Sequence, residues 1–423
     1  MADLIEKVAS IAQDIQDKEN ANDPVVKNSI NIVKDFIQHN RVMCYGGTAI
    51  NNLLPKEDRF YDSDRDIPDY DFFSQTPQQH AMKLADILMK AGIPNIQVKP
   101  GIHLGTFKVF ADFIGVADVT HLESEIFDIL WSEAIQRDSI RYVPPNFLRM
   151  SMYLELSRPR GDVSRWKKIY NRLSLLNKHY PIKCPAKDLT FHDEVVSDSI
   201  KTKIEHIMKQ ERCILLGINA FNLQQSTQSG WTLPLDMLVT PETINQVSKS
   251  LKTIFEPERH IKIKQLPKDP HTLPEGILLI DVKSKKLLFR IYQTEACHSY
   301  HKTSGELYLA SIPTILNFFF GMIYAVKNKI TGNARNRLIC NAQRLIDMAN
   351  GTKSRRFKLL TPIECVGKQQ SLTDMLEEKS RMYKELSKNR KSAEFIEYFF
   401  SYIPEETTPA KKKELKQLLD KVT

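Results

Sequence analysis

Apolar residues recur at Val26, Ile30, Val33 and Ile37 within "DPVVKNSINIVKDFIQHN" (23–40), the spacing of one helical face. The Asp-Pro pair at its start marks where that helix begins. "RVMCY" (41–45) then reads as a short buried strand, which Gly46-Gly47 breaks before "AINNLL" resumes a helical pattern. "TPQQHAMKLADILMKAG" (76–92) predicts another helix, ending at Gly92, and "GTFKVFADFIGVADVTHL" (105–122) predicts one or two strands interrupted at Gly115. Helices and strands mixed in this order predict an α/β or α+β unit. A longer apolar stretch, "LASIPTILNFFFGMIYAV" (309–326), contains Ser311, Pro313, Thr314 and Asn317, so it predicts a buried helix rather than a membrane span.

The pattern of the first segment occurs twice. "RVMCYGGTAINNL" (41–53) aligns with "RCILLGINAFNL" (212–223), matching Arg41 to Arg212, Gly46 to Gly217, Ala49 to Ala220 and Asn51 to Asn222. Each copy follows a helical stretch, and "PDYDFFSQTP" (68–77) has a weaker echo in "PLDMLVTP" (234–241). The second copy keeps only Asp236 of the acids and loses the double glycine. A duplicated unit whose second copy has lost its chemistry predicts boundaries at 1–185, 186–350 and 351–423, the last a basic helical tail rich in runs such as "KSRRFK", "KNRK" and "AKKKELKQLLDK".

Composition narrows the partner. A chain of 423 residues, 42% hydrophobic and 26% charged, has room for two or three domains with their own cores. Its net charge of +9 is concentrated: residues 149–183 carry nine Lys/Arg against Glu155 and Asp162, and the tail from 351 is also basic. A basic stripe near a candidate phosphate loop favours a nucleic acid or nucleotide over a membrane surface. The six cysteines contain no CxxC pair, which predicts free thiols in a reducing compartment. "MADLIEKVASIAQDIQDKEN" is too polar for a signal peptide.

The chemistry sits in "IPDYDFF" (67–73). Asp69 and Asp71, one residue apart on a predicted strand with apolar flanks, project to the same face. Paired carboxylates of this kind hold hard divalent cations, whose charge activates a hydroxyl and stabilises a leaving phosphate. Asp118 in "GVADVTHL" is the preferred third ligand and Asp112 in "VFADFIG" the alternative; Asp62, Asp64 and Asp66 lie in a turn-rich run read as a solvated loop. Gly46 and Gly47, with the Thr48 hydroxyl, are placed to hold the β- and γ-phosphates at a helix start. Together these groups suit in-line nucleotidyl transfer, with pyrophosphate as the leaving group.

"GGT", "DYD" and a later lone Asp resemble the DNA polymerase β-type nucleotidyltransferase superfamily. More specifically, "YGGTAINNLLP", "FYDSDRDIPDYDFFS", "GTFKVFADFIGVADVTHL", "RMSMYLELSRPRGDVSRWKKIYNRLSLLNKHYP" and "YQTEACHSYH" are similar to poly(A) polymerase catalytic subunits of large cytoplasmic DNA viruses, especially the mimivirus-like branch. The resemblance runs from about residue 25 to 370. It implies an α+β fold of two nucleotidyltransferase-like domains, the second degenerate, with ATP as donor and an RNA 3′ end as acceptor. It also implies two Mg²⁺ or Mn²⁺ ions, a host-cytoplasmic or virion location, and room for a homodimer. Two departures stand out: Thr48 replaces the superfamily serine, and the gap from Gly47 to Asp69 is longer than usual, as in the viral branch.

Beyond the carboxylates, Arg158, Arg160 and Lys167 in "SRPRGDVSRWKK" are candidate contacts for triphosphate or RNA phosphates. Tyr153 and Trp166 are read as core residues before base-stacking ones, and Cys297, His298 and His301 have poor spacing for zinc. The carboxylates do not select a base, so uridine or CCA addition stays open. A non-catalytic RNA-binding subunit on the same fold is the alternative from a different class.

Overall fold

The computed structural model describes residues 2–62, 64–185, 193–225, 230–351 and 362–422. It divides into two compact units, one made of 1–144 with 372–423 and the other of 145–371.

The first unit begins with helices α1 (Ala2–Asn22) and α2 (Pro24–His39). Asp23 caps α2 by accepting from the Val25 and Val26 amides, as the Asp-Pro signal predicts. There follow β1 (Met43–Cys44), α3 (Gly46–Leu53), β2 (Tyr70–Ser74), α4 (Pro77–Lys90), β3 (Gln97–Pro100), β4 (Thr106–Ala111), β5 (Ile114–His121), α5 (Ser124–Glu133), β6 (Ile135–Arg137) and β7 (Ile140–Tyr142). The strands form one mixed sheet in the order β3-β4-β5-β2-β1-β7-β6. Its central strand β2 runs parallel to β5 and antiparallel to β1. Burial of Val33, Phe36 and Ile37 from α2, and of Ala81, Leu84, Ala85 and Leu88 from α4, gives this unit its helical packing layer.

The second unit opens with α6 (Pro145–Leu156) and α7 (Trp166–His179). It continues through β8 (Glu194–Val195), α8 (Asp198–Gln210), β9 (Ile214–Leu216), α9 (Gly217–Gln224), β10 (Thr232–Leu233), β11 (Leu235–Val239), α10 (Ile244–Phe255), β12 (Ile261–Leu266), β13 (Gly276–Asp281), β14 (Leu287–Gln293), β15 (His298–Lys302), β16 (Tyr308–Ala310), α11 (Ile312–Tyr324), α12 (Gly332–Gly351) and β17 (Cys365–Val366). Its large sheet has the order β12-β13-β14-β11-β9-β16-β15-β17. Apart from the added β17, this is the sheet of the first unit strand for strand, with every pairing in the same relative direction. The repeat read from twelve residues is therefore a duplicated fold. Helix α11 is buried along its whole length, and no described helix is long and apolar enough to cross a membrane.

The chain ends in α13 (Leu372–Leu386), α14 (Ala393–Phe399) and α15 (Pro409–Val422), which belong to the first unit. The boundaries drawn from sequence at 185/186 and 350/351 do not coincide with these units. Charge dominates the terminal composition, but Ile396, Phe399, Phe400, Tyr402 and Leu419 are buried. Phe400 packs edge-on to Phe107, and the Tyr402 hydroxyl donates to Asp86 at 2.6 Å. Likewise α6 stays with the second unit because Tyr153 stacks on Phe320 and the Asn317 amide donates to the Met150 carbonyl.

The cysteines correct a second expectation. Cys184 is bonded to Cys340 and Cys297 to Cys365, leaving Cys44 and Cys213 as buried thiols. The bonded partners lie 156 and 68 residues apart, and folding brings their Cα atoms to 4.5 and 5.3 Å. Spacing along the chain does not report such pairs.

Candidate active site

Strand β1 ends at the Gly46 turn, where φ is +71°, a left-handed backbone that an L side chain adopts only with strain. The same glycine is required for space, because a Cβ there would overlap the Asp71 carboxylate. The turn thus brings the start of α3 directly against the second Asp of "DYD". The Tyr45 amide donates to the Asp71 carbonyl at 2.9 Å, and the Thr48 hydroxyl donates to the Asp69 carbonyl at 2.6 Å. Loop and carboxylate strand are stitched together at two points.

Asp69 lies just before β2 and Asp71 within it, with Tyr70 buried between them, as strand alternation requires. Parallel pairing of β2 with β5 places Asp118 directly opposite Asp71. The third carboxylate is therefore on the neighbouring strand. Asp112 is not: it sits in the β4–β5 turn at φ +47° and accepts from the Asn95 amide at 3.0 Å. Asp62, Asp64 and Asp66 fall in a loop tied by its own local bonds, such as the Asp62 amide donating to the Asp66 carboxylate at 2.7 Å.

One member of the cluster was missed in the sequence. Lys108 on β4 faces Asp118 in register, and its Nζ lies 2.5 Å from Asp118 Oδ2. The available signal was a lone cation between Phe107 and Val109 in an otherwise apolar strand. Partial burial pushes the Asp69 carboxyl above its ordinary range, the Asp118 charge adds to this, and Lys108 opposes both. Burial and the Asp71 charge also hold the Tyr45 phenol neutral well above its usual range.

Three carboxylates are a hard-oxygen donor set that suits Mg²⁺ or Mn²⁺ in kind. Among the described residues, however, no group of three His, Cys, Asp or Glu side chains is already drawn into a finished metal cage. Asp118 is instead engaged by Lys108.

Arg158, Arg160 and Lys167 belong to the second unit. Arg160 and Lys167 are exposed. Arg158 is half-buried with its Nε lacking a hydrogen-bond partner among the described residues, and burial lowers its pKa. Arg149, counted in the basic stripe, is interior: it donates to Asn177 at 2.7 Å, Asn146 at 2.8 Å, and the Leu176 and Tyr180 carbonyls. Tyr153 is buried, and the Trp166 indole donates to the Glu155 carbonyl at 3.1 Å. Zinc at "ACHSYH" is excluded by the Cys297–Cys365 bond and by His298, which is buried against Phe318.

The second unit repeats the turn with altered side chains. Gly217 has φ +67° and lies against Asp236, just as Gly46 lies against Asp71. Opposite Asp236 in register stands Arg290 where the first unit has Asp118, and Leu278 faces Arg290 where Lys108 faces Asp118. Pro234 takes the place of Asp69, two residues before the surviving Asp. The Arg290 Nε donates to Asp236 Oδ1 at 2.8 Å with both side chains largely buried.

Comparison with known proteins gives a family match over the segment that contains these carboxylates. Residues 31–162 match the family model described as "Poly(A) polymerase catalytic subunit". A protein of African swine fever virus (isolate Pig/Kenya/KEN-50/1950), provisionally named as a poly(A) polymerase catalytic subunit, is 30% identical over 198 residues, 45% of this chain and 41% of that protein. A similarly named protein of Acanthamoeba polyphaga mimivirus is 30% identical over 201 residues, 45% of this chain and 34% of that one. The matches thus span less than half the length of these curated relatives. The crystal structure of the Megavirus polyadenylate synthase superposes with a TM-score of 0.77 over 99% of this chain and 88% of that one, at 19% identity. The resemblance to viral poly(A) polymerase catalytic subunits is borne out, and the α+β fold is shared over nearly the whole chain.

Proposed function

We propose that this chain is a template-independent RNA nucleotidyltransferase, a poly(A) polymerase that transfers AMP from ATP to an RNA 3′ end and releases pyrophosphate. The observation that carries this reading is the register of Asp71 against Asp118 beside the Gly46 turn, within the segment that matches the catalytic-subunit family. Asp69, Asp71 and Asp118 would hold two divalent cations, Mg²⁺ or Mn²⁺, which would supply charge neutralisation at the phosphates and a lowered pKa for the attacking hydroxyl. The Gly46–Gly47 backbone at the start of α3 cradles the triphosphate. Thr48 ties that turn to the Asp69 carbonyl and so keeps loop and carboxylates in one frame. Arg160 and Lys167, exposed in the second unit, and Arg158 beside them in sequence supply cations for triphosphate or RNA phosphates.

This reading includes a host-cytoplasmic site of action and leaves the homodimer as its companion. The Asp236–Arg290 pair favours a non-catalytic role for the second unit.

The test is extension of a labelled single-stranded RNA primer by the purified chain, one nucleoside triphosphate at a time, with Mg²⁺ or Mn²⁺. A ladder with ATP alone is the expected result, reduced at least about a thousandfold in Asp69→Ala and Asp71→Ala. Extension with UTP or CTP instead would keep the mechanism and discard the donor. RNA binding without extension by any nucleotide would leave a binding subunit.

A further inference from the structure

The internal duplication says what Lys108 is for. A lysine between Phe107 and Val109 in a sheet strand raises the question of what its charge faces. In the first unit that position faces Asp118 in a cluster with Asp69 and Asp71. In the second unit the same register position is Leu278, and there the facing residue is Arg290 and the position of Asp69 is Pro234. Leucine fits the strand, so packing does not require the lysine. It is present where three carboxylates stand together and absent where only Asp236 survives.

The two copies also differ in how firmly their cation is held. Arg290 and Asp236 are 13% and 7% exposed, so that pair is sealed in. Lys108 is 39% exposed and Asp118 16%, so the lysine side chain is more open to solvent than the carboxylate it pairs with, and more open than Arg290. A flexible four-carbon stem lets such an ammonium swing into water at little cost.

We propose that Lys108 is a positioning residue, an exchangeable counter-cation that holds Asp118 in place and that a divalent cation must displace in order to bind. The inference rests on the carboxylate assignment under the proposed function, and its test separates the two.

Full-length wild type, Lys108→Met, Lys108→Arg and Asp118→Asn are titrated with Mn²⁺ without nucleotide, reading free Mn²⁺ by electron paramagnetic resonance. Each is also melted in chelator and in saturating Mn²⁺. Removing the competing charge is expected to tighten Mn²⁺ binding of Lys108→Met about tenfold. The same variant melts below wild type in chelator, and the gap closes with Mn²⁺. Lys108→Arg keeps a competing cation and binds no tighter than wild type. If Lys108→Met does not fold, Lys108→Gln carries the same readings.

Unchanged or weaker Mn²⁺ binding in the neutral variant, with the same melting deficit in both conditions, would make Lys108 a structural strand residue and overturn the proposal. Loss of binding in Asp118→Asn alongside that result would leave the carboxylate site intact. Wild-type binding in Asp118→Asn would overturn the site assignment and Lys108 with it.

Discussion

Opposite Asp71 the first sheet carries Asp118; opposite Asp236 the second sheet carries Arg290. Around those two positions nearly everything else has been kept: strand order, strand directions, and a positive-φ glycine pressed against the surviving Asp. The difference separates what maintains the fold from what maintains the chemistry. The fold follows from alternating apolar positions that tolerate many substitutions. The proposed chemistry would depend on net charge at one spot, where the first copy has Asp69, Asp71 and Asp118 and the second pairs Asp236 with Arg290. Once Arg290 pairs with Asp236, the second copy has, among the described residues, no group of acids there to hold a divalent ion.

Breaking the sealed pair should give the largest effect. Arg290→Met leaves the Asp236 charge buried and unpartnered, at a cost of about 3–5 kcal/mol to the second unit, measurable by urea denaturation. The double variant Arg290→Met with Asp236→Leu should recover most of that loss, because an apolar pair of similar volume is close to neutral or better. Recovery would confirm that the pair neutralises charge rather than supplying net stability.

The two glycines sharpen the comparison at smaller cost. Gly46→Ala and Gly217→Ala each carry about 1–2 kcal/mol of left-handed strain and push aside the adjacent carboxylate. Only Gly46→Ala should also weaken primer extension, by about tenfold or more, since it displaces Asp71. Equal extension by the two variants would mean that the Asp71 position does not matter.

A still smaller effect comes from acid. Burial holds His80 in the first unit down at about 4, and burial with the Arg158 charge holds His298 in the second at about 3. Both folded-state values lie below the ordinary 6.5, so the unfolded chain binds more protons and stability falls as pH drops from about 6.5 toward those values. Each should contribute about 1 kcal/mol of loss per pH unit at most through the upper part of that window. Denaturant melts from pH 7 to 5 on His80→Gln and His298→Phe should show a flatter acid slope in each.

Local pattern made some of this readable and distance hid the rest. Asp69 and Asp71 were legible because they alternate with Tyr70 across the start of one short strand, and Asp118 because its flanking Ala117 and Val119 mark a buried strand. The repeat from Arg41 to Asn51 was legible because a turn residue and its helix travel together in sequence. Lys108 and Arg290 were not, since their meaning comes from strand register, which no window of the chain displays. The disulfides were hidden for the same reason. The last helices of the first unit were masked by their own surface: average charge described a tail, while Phe399, Phe400 and Tyr402 described a packing face.

That returning segment gives synthesis an order of events. A growing chain leaves the ribosome from its amino end, and units generally fold as they emerge. Residues 1–144 appear first but lack α14, α15 and the Val98–Tyr402 backbone bridge until the entire second unit has been made. The degenerate copy is therefore complete before the copy with the carboxylates, and a ribosome that stalls after residue 371 leaves a finished second unit beside an unfinished first one.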